Sequence, residues 1–531
     1  MAFTPPQSLC FSLHPATLPA VNVLAFASPA LAADFTLTSD TTTTNDGVTL
    51  DGGDSLTITE GTRVTLTGQP GGPAIQTTGS LSHGVYVGQT NSSVSNSGQI
   101  RATGENADAL RFDVGDATVI NSGALRADQG NALTFLGATN SLTLEAPAYI
   151  LGGMSLGLDS TVVINTGQSQ SFQWTFSGAA WTSMTVTADV PLIISGSTVA
   201  SIDPTQFSAS QTGMTGLSSL AFDLATGPNS AGAGPASSSS KTPALLSGST
   251  IGHGPTRRSW ASGFGQIAQF GGQGASLPYS QVQAGMLGGM DWTSAAGGRF
   301  GIFAGAAAGA YAADAIFMRS HRIQSLGGLV GFYGQQSLGA MWLDFGLVGG
   351  FQTNDSQRAI NNNLLPGGID TARASYGSGF VAPHLKLSRA WQLASNLTLT
   401  TSASLGYTAG FVDAYSETAT AATASFNQRR FGIGTGAADV KLARQFGQTT
   451  LTGHVGLLAE TGFGDETLSG TLLGQPWSHL KTASTAVAGQ AGLGIRHQFG
   501  TNFIGSLSAE TSFGAGGLAN TKGSARLRFR F

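Results

Sequence analysis

From Ser259 to the C-terminus, apolar and polar residues alternate with a period of two. That spacing sets neighbouring side chains on opposite faces of an extended strand. In 341–351, Met341, Leu343, Phe345, Leu347 and Phe351 share a face, and Trp342, Asp344, Gly346 and Gly350 share the other. In 397–411, Leu397, Leu399, Ala403, Leu405, Tyr407 and Phe411 oppose Thr398, Thr400, Ser402, Ser404, Gly406 and Thr408. Leu451, Val455, Leu457 and Ala459 oppose Thr452, His454 and Glu460. Val487, Leu493 and Ile495 oppose Gln490 and Arg496. At the end of the chain Leu527, Phe529 and Phe531 oppose Arg526, Arg528 and Arg530. The pattern predicts twelve strands: 259–270, 281–294, 298–313, 320–337, 339–355, 372–393, 397–418, 425–446, 449–468, 482–499, 501–513 and 524–531.

Each segment is long enough to cross a tilted path through a bilayer, and Tyr and Trp gather toward segment ends as interfacial girdles do. No stretch is apolar enough over about 18 residues to read as a transmembrane helix, so a membrane passage has to be made by a closed barrel. An even strand number puts both barrel termini on one side. Short connections such as Ser337–Gly339, Phe446–Thr449 and Phe499–Thr501 fit the periplasmic side, and the longer 356–371 and 469–481 fit the outside. Arg526, Arg528 and Arg530 are then lumen residues, facing the transiting chain or a plug, or balancing lumen acids such as Asp344.

Composition agrees with this division. The chain has 531 residues and only 10% are charged, against roughly 25% in soluble proteins. Hydrophobic residues stand at 41%, so Gly (76 of them), Ser, Thr and Ala fill the gap. A lipid-facing barrel and a solenoid of small residues both tolerate so few charges. The net charge of −4 gives no electrostatic footprint for nucleic acid.

Residues 1–32 form a segment with no Asp, Glu, Lys or Arg. A mildly apolar run from Leu18 to Phe26 precedes Ala30-Leu31-Ala32, a small-residue cleavage pattern, and together these predict a secretory signal peptide. The basic n-region such peptides carry is missing here. Cys10, the one cysteine, falls inside this segment without an acylation site before it. The mature chain therefore has no disulfide or thiolate metal site.

Residues 33–225 are a different material, rich in Thr, Ser, Gly, Asn and Val. Ser93-Val94-Ser95-Asn96-Ser97-Gly98 recurs twenty-five residues on as Thr118-Val119-Ile120-Asn121-Ser122-Gly123. Gly84-Val85-Tyr86-Val87 is echoed by Ala109-Leu110-Arg111-Phe112 and by Ala132-Leu133-Thr134-Phe135. Such a period with Asn/Gly turns predicts a right-handed parallel β-helix. Asn96 and Asn121 are expected at left-handed turn positions, stacked as a ladder. About seven or eight coils at ~4.8 Å each would give a short rod. After Ala146 the repeat is less regular and predicts a terminal cap. Residues 226–257 are rich in Gly, Ser and Pro and read as a linker. Any helix there would be short, near Pro243 to Ser247.

At this point several motifs meet a known family. Arg258-Ser259-Trp260-Ala261-Ser262-Gly263-Phe264-Gly265 resembles the first-strand signature of autotransporter barrels. Met286-Leu287-Gly288-Gly289-Met290-Asp291-Trp292 and Gly301-Ile302-Phe303-Ala304-Gly305 resemble their second and third strands. Ser325-Leu326-Gly327-Gly328 with Phe332-Tyr333-Gly334 resembles the fourth, and Arg528-Phe529-Arg530-Phe531 resembles the terminal signal read by the outer-membrane assembly machinery. The resemblance covers residues 258–531. It implies type V secretion, with an all-β chain of passenger and twelve-stranded translocator. Its partners would be the outer-membrane bilayer, the assembly machinery at Phe531, and a host or neighbouring-cell surface. Such a family usually threads a helix through the lumen before the first strand.

Chemistry is sparse. Gly53-Asp54-Ser55-Leu56 spells the signature of a serine esterase family, with Ser55 as nucleophile. That role needs a histidine base and an acid to orient it. The passenger offers only His83, His253 lies in the linker, and the expected Asp-x-x-His pair is missing. The flanking Thr49-Leu50-Asp51 and Thr57-Ile58-Thr59 read as coils, so the motif is expected to be a turn between them. His321, His384, His454, His479 and His497 are spread over five segments, an arrangement that predicts no metal site. Asn361-Asn362-Asn363 invites thoughts of self-cleavage beside asparagine, but lies in an expected outer loop. The reading is a non-enzymatic surface protein such as an adhesin, with no catalytic, cofactor or metal residues. A Ser55 esterase and a barrel acting mainly as a pore are the alternatives.

Overall fold

The computed structural model describes most of the chain. Outside the described residues lie 1–33, 38–40, 44–47, 51–54, 59–62, 67–84, 89, 103–104, 167–170, 179–182, 189, 203–204, 227–255, 271–277, 295–297, 315–318, 465, 482, 501, 515–519 and 531. The predicted signal peptide, the linker with its short helix, and Phe531 therefore fall outside.

The N-terminal part is a parallel β-solenoid. One of its faces is a sheet of seven strands, each from one coil, running from Asp34–Leu37 to Ser183–Ala188. Register follows the repeat read from the sequence: Ser93 pairs with Thr118, Asn96 with Asn121, and Leu110 with both Val85 and Leu133. Inward positions stack in a column, Val94, Val119, Leu142 and Val162, all fully buried. The asparagine ladder forms too. Asn96 Nδ2 donates to Asn121 Oδ1 at 2.6 Å, and Asn121 Nδ2 donates to Gly123 O at 3.0 Å. Its location differs from expectation. Asn96 and Asn121 end strands, with side chains turned into the core, while left-handed positions fall to Asn91, Asn106 and Asp116. A buried amide needs partners, and the next coil supplies the matching one. The parallel coils also continue past Ala146, and a hairpin of Leu192–Ser195 and Thr198–Ser201 then pairs antiparallel with Phe172–Gly178 to end the stack.

The C-terminal half is a closed barrel of twelve antiparallel strands. In order they are Thr256–Phe270, Tyr279–Thr293, Arg299–Asp314, Arg319–Leu338, Met341–Asn362, Ile369–Ala394, Leu397–Val412, Arg429–Phe446, Thr449–Gly462, Thr485–Phe499, Phe503–Gly514 and Asn520–Arg530. We number them 1 to 12. Strand 12 pairs back onto strand 1 from Trp260↔Arg530 to Phe270↔Asn520, which leaves no open edge. Strands are joined by short turns at one end and by longer connections at the other. At the loop end, Tyr415–Ser416, Ala424–Phe426, Glu466–Leu472 and Gln475–Lys481 form a separate four-stranded sheet.

The two faces of the wall separate as the alternation requires. Met286, Phe351, Leu405, Val455, Leu457, Val487, Leu493 and Leu527 are exposed on the outside. Their neighbours Leu287, Asp344, Thr408, Gln490 and Arg528 are buried toward the lumen. An outer belt of exposed large apolar residues is stable against hydrocarbon and not against water. Val455→Arg, at the middle of strand 9, is expected to cost the barrel about 2–4 kcal/mol in lipid vesicles, whereas a charge on the lumen side does not carry this penalty. Urea titration of the vesicle-embedded barrel, compared with His454→Arg, checks it.

Candidate functional site: a filled lumen and its solenoid-facing rim

A helix, α1 (Thr205–Thr226), occupies the barrel lumen. Met214, Leu217, Leu220, Ala221, Phe222, Leu224 and Ala225 are buried against Trp260, Phe264, Leu287, Phe303, Leu329, Tyr333, Val348 and Phe380 from the inner wall. The helix packs principally on strands 2 to 8. Among its described residues, 210–226, it is buried or half-buried nearly all round and Asp223 is exposed, because the wall encloses it. Gly213 permits close approach: a Cβ there would sit 2.9 Å from Gln281 Nε2, and Gln283 Nε2 donates to Gly213 O at 3.0 Å. Phe222 stacks on the His384 ring at 5.0 Å.

Both ends of α1 are tied. Arg299 Nη2 donates to the carbonyls of Ala225 (2.9 Å) and Thr226 (3.1 Å), satisfying orphan acceptors and placing a cation at the negative end of the helix dipole. Arg299 is held by Asp291 (3.4 Å), and Tyr333 joins Asp291 to Trp260 Nε1. At the loop end Gln211 donates to Glu466 Oε2 and accepts from Lys481 Nζ, each at 2.6 Å. Arg429 pairs with Glu466 at 3.2 Å and also donates to Ser210 Oγ. The opposite wall is charged: Asp439 accepts from Gln490, and His454 faces Glu510 at 3.2 Å. Apolar wall is covered by the helix, and polar wall faces the remaining space.

The rim joins the barrel to the solenoid. Strand 5 ends in Asn361-Asn362, and the connection to strand 6 follows through Asn363 and the short helical turn Pro366–Gly368. Asn361 and Asn362 pair in parallel with Phe172 and Gln173 of the solenoid. Tyr149 OH donates to Gly367 O at 2.8 Å; burial holds this phenol above its usual pKa against the opposing pull of Arg126, which keeps it a donor. The four-stranded loop sheet packs Phe426, Leu468, Leu472 and Trp477 with Ala200 and Ile202 of the solenoid's last hairpin. Beneath it, the guanidinium of Arg358 and the carboxylate of Glu417 form a buried bidentate pair, tying strand 5 to the loop after strand 7.

Residues singled out by sequence are not brought into one constellation. Ser55 begins a solenoid strand in register with Asp34 and Ser93 rather than standing in a turn; Gly53, Asp54, His83 and His253 lie outside the described residues. His321 lies near Ser356 (3.4 Å), His384 beside Phe222, and His497 near Thr449 (2.8 Å). Among the described residues no group of three or more His, Cys, Asp or Glu is disposed to hold a metal. Arg528 is lumenal, stacked over Trp260 at 5.0 Å, while Asp344 accepts from Gln335 at 2.7 Å; the side chain of Arg530 is outside the description. Asn361, Asn362 and Asn363 are buried in the rim. Sequence reasoning missed α1, Arg299 and the role of the three asparagines; an asparagine run before a turn was the available signal for the last.

Deleting Thr205–Thr226 is expected to raise single-channel conductance in planar bilayers several-fold over the intact chain. Equal conductance would mean the helix does not obstruct the lumen.

The comparisons with known proteins bear on the barrel. Residues 259–510 match the family model described as the autotransporter beta-domain. No curated protein matches the chain. Among solved structures, the translocator domain of the autotransporter NalP from Neisseria meningitidis is 16% identical, over 52% of this chain and 88% of that one, with a TM-score of 0.40. The beta domain of the Bordetella autotransporter BrkA is 16% identical over 52% and 99%, with a TM-score of 0.36. The transport unit of AIDA-I from Escherichia coli is 11% identical over 52% and 90%, with a TM-score of 0.37. With its closed twelve-stranded barrel and this family match, the C-terminal part of the chain, residues 259–510, is an autotransporter beta-domain that follows a parallel β-solenoid.

Proposed function

We propose that this chain displays its own solenoid on the cell surface and keeps it there as a non-enzymatic contact protein. The observation that carries the reading is the course of α1. Its N-terminal end follows the solenoid at the loop end of the barrel, and its C-terminal end meets Arg299 at the turn end, where strand 1 begins. A chain that runs down the lumen in this way has its passenger on one side of the membrane and its barrel termini on the other. The turn end is then periplasmic and the loop end outside. The rim contacts favour a passenger that remains attached rather than one released.

The contact role, adhesin-like toward a host or neighbouring-cell surface, is supported by a rigid stack of coils with a polar outer face. The esterase alternative rests on Ser55 alone. Its place as a rung of the parallel sheet, paired on both sides, argues against the exposed strained turn on which a nucleophile is usually presented.

Protease added to intact cells is expected to remove a tag inserted near residue 100 and to spare one in the turn at Gly447. Survival of both tags would place the solenoid in the periplasm and overturn surface display. On the same cells Ser55→Ala is expected to leave hydrolysis of a nitrophenyl ester at its starting level; loss of a measurable rate would instead identify Ser55 as a nucleophile.

A further inference from the structure

We propose that the part of the lumen left open beside α1 is an anion lane, in which small inorganic anions dwell among Lys441, Arg496 and Arg526 and carry the current that the intact barrel passes. The inference goes beyond surface display and does not rest on it. α1 packs principally on strands 2 to 8, so the wall from strand 9 to strand 12 faces the helix across a space. Side chains there are enclosed by the barrel yet wet. Asp223 on the helix keeps 47% of its side-chain surface accessible, and Glu510 on strand 11 keeps 31%. Lys386 on strand 6, at the border of that space, keeps 30%.

Among the described residues, the cations of this space outnumber its acids. Alternation places them. Val440, Leu442, Ile495 and Leu527 face lipid, which turns Lys441, Arg496 and Arg526 inward. Lys386 lies inward between the lipid-facing Leu385 and Leu387, and Lys522 shares the face of Arg526 on strand 12. The acids are Asp223, Asp439 and Glu510, and each is already engaged. Asp223 lies 4.0 Å from Lys386. Asp439 accepts from Gln490. Glu510 meets His454 at 3.2 Å and is in register with Lys522. Asp344 and Asp291 belong to the helix-covered wall, where Gln335 and Arg299 hold them. Lys441, Arg496 and Arg526 form no ion pair or side-chain hydrogen bond with a described residue, and the buried Nε of Arg526 has no partner.

These three cations also stand close to one another. Arg496 and Arg526 flank Ser506 in one cross-strand row, two interstrand spacings apart, or about 9–10 Å between backbones. Ser506 is too short to stand between their guanidinium groups. Lys441 on strand 8 feels the like charges of Lys386, Arg496 and Arg526 across the space, and the single opposing charge of Asp223. Separations near the Debye length leave these fields only partly screened, and low-dielectric walls focus them. One carboxylate on the helix cannot neutralise so many cations, so mobile anions complete the charge balance. Rings of Arg and Lys select anions in pores on the same principle. The negative end of the helix dipole does not take that role, because Arg299 already answers it.

The experiment is the reversal potential of the purified full chain in a planar bilayer, under a tenfold gradient of potassium chloride. The intact barrel is expected to favour chloride over potassium several-fold. Lys441→Glu with Arg496→Glu is expected to reverse the sign of the potential, and Lys441→Gln with Arg496→Gln to reduce its size without reversing it. Asp223→Asn, which removes the helix's own acid from the lane, is expected to strengthen the chloride preference. A barrel that passes no current, or one that favours potassium or neither ion, would overturn the inference before any variant is made. A charge-reversed barrel that keeps both its heat-modifiable gel shift and the starting potential would overturn it too. If the glutamate pair loses that gel shift, the glutamine pair carries the same test, and an unchanged potential rejects the lane. An unchanged potential in Asp223→Asn would mean that the current does not pass beside the helix, and would likewise reject it. Protease treatment of intact cells decides surface display separately and leaves this outcome untouched.

Discussion

Hydrocarbon offers no hydrogen-bond partner, so every peptide group that crosses a bilayer must be paired within the protein. The pairing of strand 12 with strand 1 meets that condition here, and the rest of the molecule depends on it. Once the sheet closes, every residue of a strand points either to lipid or into an enclosed space. The outer face then has to be apolar, which accounts for the exposed Leu, Val and Phe belt. The inner face has to be filled or wetted. This barrel does both: aromatic and aliphatic side chains of strands 1 to 7 meet α1, and the paired charges of strands 8 to 11 face the space left over.

Filling the lumen with a chain segment links secretion to structure. The helix carries many Ser, Thr and Gly residues, which would make it a poor helix in water. Enclosure removes the competition from water for its backbone, and Arg299 and the Gln211–Glu466–Lys481 set hold its ends. At the loop end the solenoid's last coils lie on the rim, so the chain is anchored to the barrel at the lumen and again at the rim.

How far the sequence could be read follows from the range of the interactions involved. Strand alternation is local, and each of the twelve predicted strands overlaps an observed one, including short turns such as that at Gly339 and Gly447. The solenoid register was equally legible, since stacking Asn96 on Asn121 is written as a repeat. The helix was not, because its burial comes from walls that lie from tens to nearly two hundred residues away in the chain. Expectation put a short helix near Pro243 to Ser247, outside the described residues, while 205–226 read as passenger because of their Ser, Thr and Gly content. The rim was illegible for the same reason. Asn361 and Trp174 are 187 residues apart, and no local pattern couples them. The loop-end extensions of strands 5 and 6 beyond predicted residues 355 and 372 belong to that same contact, since the extra residues pair with solenoid as well as with each other.

The central claim is that α1 lies inside the closed barrel. The chain's one cysteine, Cys10, is far from the barrel in sequence, so a pair introduced there can be followed cleanly. A Cβ at Gly346 would stand 3.0 Å from the Phe222 ring. In outer membranes containing the full chain with Gly346→Cys and Phe222→Cys, mild oxidation should join helix to wall and hold the conductance at its low value. Two free thiols in a barrel that is folded by its gel shift would contradict the account, because the helix would then lie elsewhere.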